Sequence, residues 1–196
     1  MQRLFFAFKL HVATAGNIVS SASLLQKNLQ LRGRSLTPVR LRITLHLLGD
    51  VPYVPRQIVA IASRVASEVV RLPSLSALDV AIELATSFAR ERGASPFAAQ
   101  VGLVKAALTQ FWMTLNEVLW HTGLLARPRP PSRFTPHVTL MYSDPVSGTQ
   151  PIDPIGCPAG ELVLVHNLIG RTQHVTINGR FATNDLSNCL GNSAFR

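Results

Sequence analysis

The stretch Arg40-Leu-Arg-Ile-Thr-Leu-His-Leu-Leu-Gly-Asp50 ("RLRITLHLLGD") decides how this chain is read. It alternates in the manner of a half-buried strand. Arg42, Thr44 and His46 fall on one face, and Ile43, Leu45 and Leu47 fall on the other. Far downstream, Phe134 to Asp144 reads "FTPHVTLMYSD", with His137 and Thr139 on one face and Val138 and Leu140 on the other. R-I-T-L and H-V-T-L are one pattern that differs by the conservative exchange of Ile for Val and by Arg in place of His. Arg42 is either a strand residue that happens to be basic or stands where a second histidine should be.

The bulk of the sequence bounds what such a pair of strands can belong to. The chain has 196 residues, enough for one domain or two small lobes packed together. Hydrophobic residues make up 47% and charged ones 15%, the balance of a folded, core-rich protein rather than a disordered one. Nineteen Lys+Arg against ten Asp+Glu give a net charge of +9, which favours RNA, DNA or phosphorylated small molecules as partners. Cys157 and Cys189 have no metal-ligand spacing and read as free thiols of a reducing compartment. The apolar run after Arg3 is cut at Lys9, too short for a leader or a membrane span, so the expected location is cytoplasmic.

Along the chain, "RLFFAFKL" (3–10) reads as a buried opening strand and 13–31 as a helix. A basic loop, 32–38, feeds the first motif strand at 39–48. Residues 56–71 have the spacing of an amphipathic helix. Two strands are expected near 75–82 and 83–88, then a loop around Gly93. Residues 101–123 read as a long helix with Gly123 as its C-cap. Its Trp112, Trp120 and His121 are expected in the core. Arg127, Arg129 and Arg133 lie in a proline-rich loop, 124–133, that delivers the second motif strand. A turn-rich stretch (143–160) precedes a closing strand pair at 161–170 and 173–181. The domain is expected over 1–184, with a polar tail at 185–196.

Histidine and threonine two apart on a strand project side by side. Imidazole takes or gives a proton near neutrality, and the hydroxyl can donate to a phosphoryl oxygen. Two such strands across a groove place one acid/base group on each flank of a phosphorus atom, as in-line displacement requires. No phosphate-binding loop, dinucleotide fingerprint, metal-ligand cluster or serine-hydrolase elbow is present.

These blocks together resemble the 2H phosphoesterase superfamily, in particular its bacterial 2′-5′ RNA ligase-like branch, the RNA 2′,3′-cyclic phosphodiesterases. The likeness runs in order through "RLFFAFKL", "RLRITLHLLGD", "FTPHVTLMYSD" and "ELVLVHNLIGRTQHVTINGRF" (161–181). It implies an α+β, bilobal, LigT-like fold in which two mainly antiparallel sheets flank a central groove, with helices outside. It also implies a monomer that opens 2′,3′-cyclic phosphates of RNA ends or small cyclic nucleotides, without metal, cofactor or membrane. His137 and Thr139 correspond to the second motif intact, and Thr44 to the threonine of the first.

Arg42 departs from that pattern. A guanidinium is always charged near neutrality and is no general base, but it can hold a phosphate and stabilise charge on phosphorus. The expected catalytic set is therefore His137, Thr139, Thr44 and Arg42, with weakened turnover. Arg171 and His46 are expected to contact substrate, His46 from the edge of the groove. His166 and His174 read as rim or structural residues. The rival reading is a catalytically silent RNA- or nucleotide-binding protein that keeps the groove.

Overall fold

A computed structural model of the chain describes residues 1–71, 79–88, 94–102, 106–158, 160–168 and 174–176; the side chains of Asp79, Arg133, Leu168 and His174–Thr176 fall outside the description. The strands are β1 (Gln2–Lys9), β2 (Arg34–Ser35), β3 (Arg42–Val51), β4 (Asp79–Ser87), β5 (Ser95–Val101), β6 (His137–Ser143), β7 (Thr149–Pro158), β8 (Glu161–Leu168) and β9 (His174–Thr176). The helices are α1 (Val12–Asn28), α2 (Arg56–Val69) and α3 (Ala106–His121).

All strand pairs are antiparallel, in the order β7-β4-β5-β6-β3-β1-β8-β9, with β2 also against β6. The expected α+β architecture is thus present. Two half-sheets, β1/β3/β8/β9 and β4/β5/β6/β7, meet at the pairing of Ile43 with Val138. Each helix owes its packing to an apolar stripe. Buried Ala15, Ile18 and Ala22 mark α1; Ala62, Val65, Ala66 and Val69 mark α2; Leu108, Phe111, Trp112, Leu115 and Leu119 mark α3.

The connections cross over. Although α1 follows β1, it packs on β2, β6 and β7 of the other half, while α3 follows β5 and packs on α2 and β3. Phe6, Phe8, Ile43, Phe97 and Val138 join these helices in one core. On the opposite face Phe5, Ala7, Val163 and Val165 form a second, small cluster that includes no residue of the three helices.

Several sequence expectations are corrected. Residues 95–101, placed partly in a loop and partly in the long helix, form β5, so α3 begins at Ala106. Residues 79–87 are one strand rather than parts of two. The turn-rich stretch contains the edge strand β7. Trp112 is buried as expected, but Trp120 is 43% exposed and His121 is exposed beside Glu117 at 3.8 Å. Gly123 does cap α3, at φ +74°. Cys157 is buried. Cys189, the loop at Gly93, most of the 173–181 strand and the tail at 185–196 lie outside the described residues.

Candidate functional site

Ile43 and Val138 are buried on the helix-bearing side. Alternation therefore sends their neighbours, Arg42 and Thr44 on β3 and His137 and Thr139 on β6, to the other face. One backbone bridge thus gathers all four motif residues around a single point. Thr44 is exposed, and Arg42, His137 and Thr139 are half-buried.

His137 is held by two contacts. Its Nδ1 lies 2.7 Å from the Thr135 carbonyl oxygen, which can only accept, so Nδ1 carries the hydrogen and donates it. In the neutral ring this leaves Nε2 with its lone pair free to accept a proton. The Phe88 ring lies against the imidazole, centroids 4.6 Å apart and tilted by 41°. Phe88 was no part of the expected site. Its position at the end of β4 comes from tertiary structure, and no local sequence pattern marks it.

Arg42 is also fixed. Its Nε donates to the Arg40 carbonyl at 3.2 Å. Burial, with the charge of Arg40 second, lowers its pKa to about 10, so it remains cationic at neutral pH. Lys9 is its direct partner across β1. Like charges so placed repel, and Lys9 reaches instead to Glu161, 3.7 Å away on β8.

His46 is not where the alternation placed it. Across β1–β3, Phe6 pairs with His46 and Ala7 with Thr44, so Leu45 is an extra, bulged residue. The bulge turns both Leu45 and His46 to the core. His46 is 0% exposed and stacks on Trp112 at 5.2 Å. Its Nε2 donates to Asn116 Oδ1 at 3.0 Å, since a side-chain carbonyl oxygen only accepts. The expected substrate contact by His46 is therefore corrected: it is a core residue behind the motif.

The same bulge recurs in the second motif. Phe97 pairs with Met141 and Ala98 with Thr139, leaving Leu140 as the extra residue. Met141, the counterpart of His46, is likewise 0% exposed.

The remaining candidates divide. Arg129 donates to the Leu47 carbonyl at 2.7 Å, and its own backbone N–H and C=O are both bound by Asn116. It anchors the loop ahead of β6. Arg127 lines a cavity of about 610 Å³ that no motif residue borders. His166 pairs with Leu4 on the helix-bearing side, consistent with a structural role. Arg171 and the His174 side chain lie outside the described residues. Among the described residues no three His, Cys, Asp or Glu side chains gather as metal ligands, and no described helix is long and apolar enough to cross a membrane.

Arg3 on β1 is raised above the usual arginine value, first by its hydrogen bonds to Asp50 at 2.7 and 2.8 Å, with burial acting in the opposite direction.

The chain matches no family model and no curated protein sequence. It is similar in structure to TT0787 of Thermus thermophilus, with a TM-score of 0.64 at 19% identity over 89% of this chain and 93% of that one. It is also similar to E. coli LigT, with a TM-score of 0.61 at 20% identity over 90% and 95% of the two chains. A protein described as a phosphoesterase matches with a TM-score of 0.57 at 20% identity, over 90% and 94%. LigT has been crystallised with 3′-AMP, ATP and phosphate. At these identities the likeness is one of fold: the chain has the LigT-like fold.

Proposed function

We propose that the chain is an RNA 2′,3′-cyclic phosphodiesterase of the 2H type, related to the 2′-5′ RNA ligases, with one of its two acid/base groups replaced. The observation that carries the reading is the 2.7 Å contact of His137 Nδ1 with the Thr135 carbonyl oxygen. With Nδ1–H tied to Thr135, Nε2 is the ring atom left to take a proton, on the face it shares with Thr44, Thr139 and Arg42. The LigT-like fold and the phosphate and nucleotides held by LigT itself support the same chemistry.

In this reading Arg42 and the two threonine hydroxyls bind the non-bridging phosphoryl oxygens. His137 Nε2 removes a proton from water as its oxygen bonds to phosphorus, and the bond to the 3′ oxygen breaks. That oxygen takes its proton from solvent water, because Arg42, charged at neutral pH, stabilises its negative charge without readily giving a proton up. Turnover is consequently slow, because a positioned acid is worth on the order of 10²–10⁴ in rate.

The second reading, a silent nucleotide- or RNA-binding protein, is favoured by the same Arg42. Hydrolysis of a 2′,3′-cyclic mononucleotide by wild type, His137→Ala and Arg42→His separates the two. Slow turnover that needs His137 and rises with Arg42→His supports the enzyme. Binding with no turnover in any of the three supports the silent protein.

A further inference from the structure

Beyond Thr139, β6 carries a second exposed feature on the same face. Because Leu140 is bulged, Leu140 and Met141 both turn inward, and Tyr142 emerges beside Thr139, 46% exposed. Counted through the bulge, this is two pleat positions, about 7 Å along the strand. The cross-strand partners of Tyr142 are Pro96 on β5 and Arg34 on β2. Side chains so paired have Cβ atoms about 4.5–5.5 Å apart, which brings the exposed Arg34 next to the phenol ring.

β2 is only two residues long, and the Gln26 side chain of α1 holds its segment in place. Gln26 donates to the carbonyls of Gly33 (2.6 Å) and Leu31 (3.3 Å) and accepts from Ser35 Oγ (2.9 Å). The Leu36 N–H adds a bond to the Leu140 carbonyl at 2.7 Å. Any side chain at position 33 would collide with the Tyr142 carbonyl, so glycine is what lets the segment lie against β6. Arg34 is thereby fixed beside the motif strand rather than left on a free loop.

We infer that Tyr142 and Arg34 form a subsite for the nucleotide adjoining the reacting phosphodiester. Tyr142 stacks on its base, and Arg34 holds its flanking phosphate. The inference rests on the phosphodiesterase reading and narrows it, making the substrate an oligonucleotide end rather than a mononucleotide. Stacking on a ring is tolerant of base identity, so the subsite reads chain length more than sequence.

The test compares a labelled trinucleotide ending in a 2′,3′-cyclic phosphate with a 2′,3′-cyclic mononucleotide. Wild type prefers the trinucleotide. In Tyr142→Ala and Arg34→Ala the ratio of kcat/KM on the trinucleotide to that on the mononucleotide falls about 10-fold, the scale of one lost stacked base. Tyr142→Phe keeps the ratio. An unchanged ratio in both alanine variants, or no wild-type preference, overturns the subsite. If wild type cleaves neither compound, the phosphodiesterase reading fails and anisotropy of the labelled 2′-phosphate trinucleotide decides the subsite. Weaker binding in both alanine variants then upholds it, and equal binding overturns it.

Discussion

Ile43 pairs with Val138 across the seam of the two half-sheets, and both side chains point into the helix-bearing core. That single relationship places position 42 of one motif and position 137 of the other on the same open face. Each is tied to the backbone carbonyl two residues before it, Arg42 to Arg40 and His137 to Thr135, and the His137 ring also lies against Phe88. One flank of the site is therefore a fixed cation, Arg42, and the other an imidazole, His137. Each part of this asymmetry can be tested separately.

His137 is the motif residue to which the proposed reading gives the role of base, through Nε2. Replacing it with alanine should lower kcat on a 2′,3′-cyclic nucleotide by about 10²–10⁴. Thermal unfolding should change little, because the ring is half-buried and its one hydrogen bond is to a local carbonyl. Steady-state rates and melting of the purified variant check both parts.

Arg42→His should raise kcat by one to two orders of magnitude, because it returns a titrating group to the opposite flank. The pH profile reports it independently. The histidine variant should gain a limb in the pH profile of kcat/KM that wild type lacks. Arg42→Gln should weaken binding of phosphate-bearing ligands without adding that limb. A bell-shaped profile already present in wild type would show that another group supplies the second proton.

Phe88 restricts the imidazole of His137 from one side. Phe88→Ala should lower kcat about 10-fold, less than loss of the histidine itself, by letting the ring leave the geometry set by Thr135. Phe88→Leu should recover part of the rate. Kinetics of the two variants, with KM followed separately, test whether the contact orients the ring or only covers it.

How much of this was legible in the sequence follows from how local each signal is. Alternation and helical spacing report on neighbouring residues, and β1, β3, β6, β8 and the three helices were found from them. β5 was missed because Ser95-Pro-Phe-Ala-Ala-Gln-Val has small residues and runs close to a helix. It is nonetheless the counterpart of β1, with Phe97-Ala98 facing Met141 and Thr139 as Phe6-Ala7 face His46 and Thr44. β7 contains Pro151, Pro154 and Pro158, which suit an edge strand but read as turns without its partner. Position 46 failed because a bulge is set by cross-strand pairing, and nothing in R-I-T-L-H announces one. The motif positions stand out because they lie in short, repeated words; Phe88, Tyr142 and Arg34 come near them only through sheet pairing, which no local pattern marks.

His46 makes a prediction about stability rather than rate. Burial, reinforced by the charge of Arg129 and partly offset by the Asn116 hydrogen bond, lowers its pKa to about 4, against 6.5 for an unperturbed histidine. Between those values the unfolded chain binds the proton more tightly than the folded one. Stability should therefore fall as pH drops from about 6.5 to about 4, by up to about 3 kcal/mol from this residue, with no further loss from it below that. His46→Met places there the residue type that occupies the equivalent position, Met141, in the second motif. Asn116 Oδ1 keeps the Arg129 N–H as a donor, so the variant leaves that oxygen partnered. Urea unfolding of wild type and variant across pH 4 to 7 should show the slope in wild type and its marked reduction in His46→Met. Equal slopes would mean that His46 is not the group responsible.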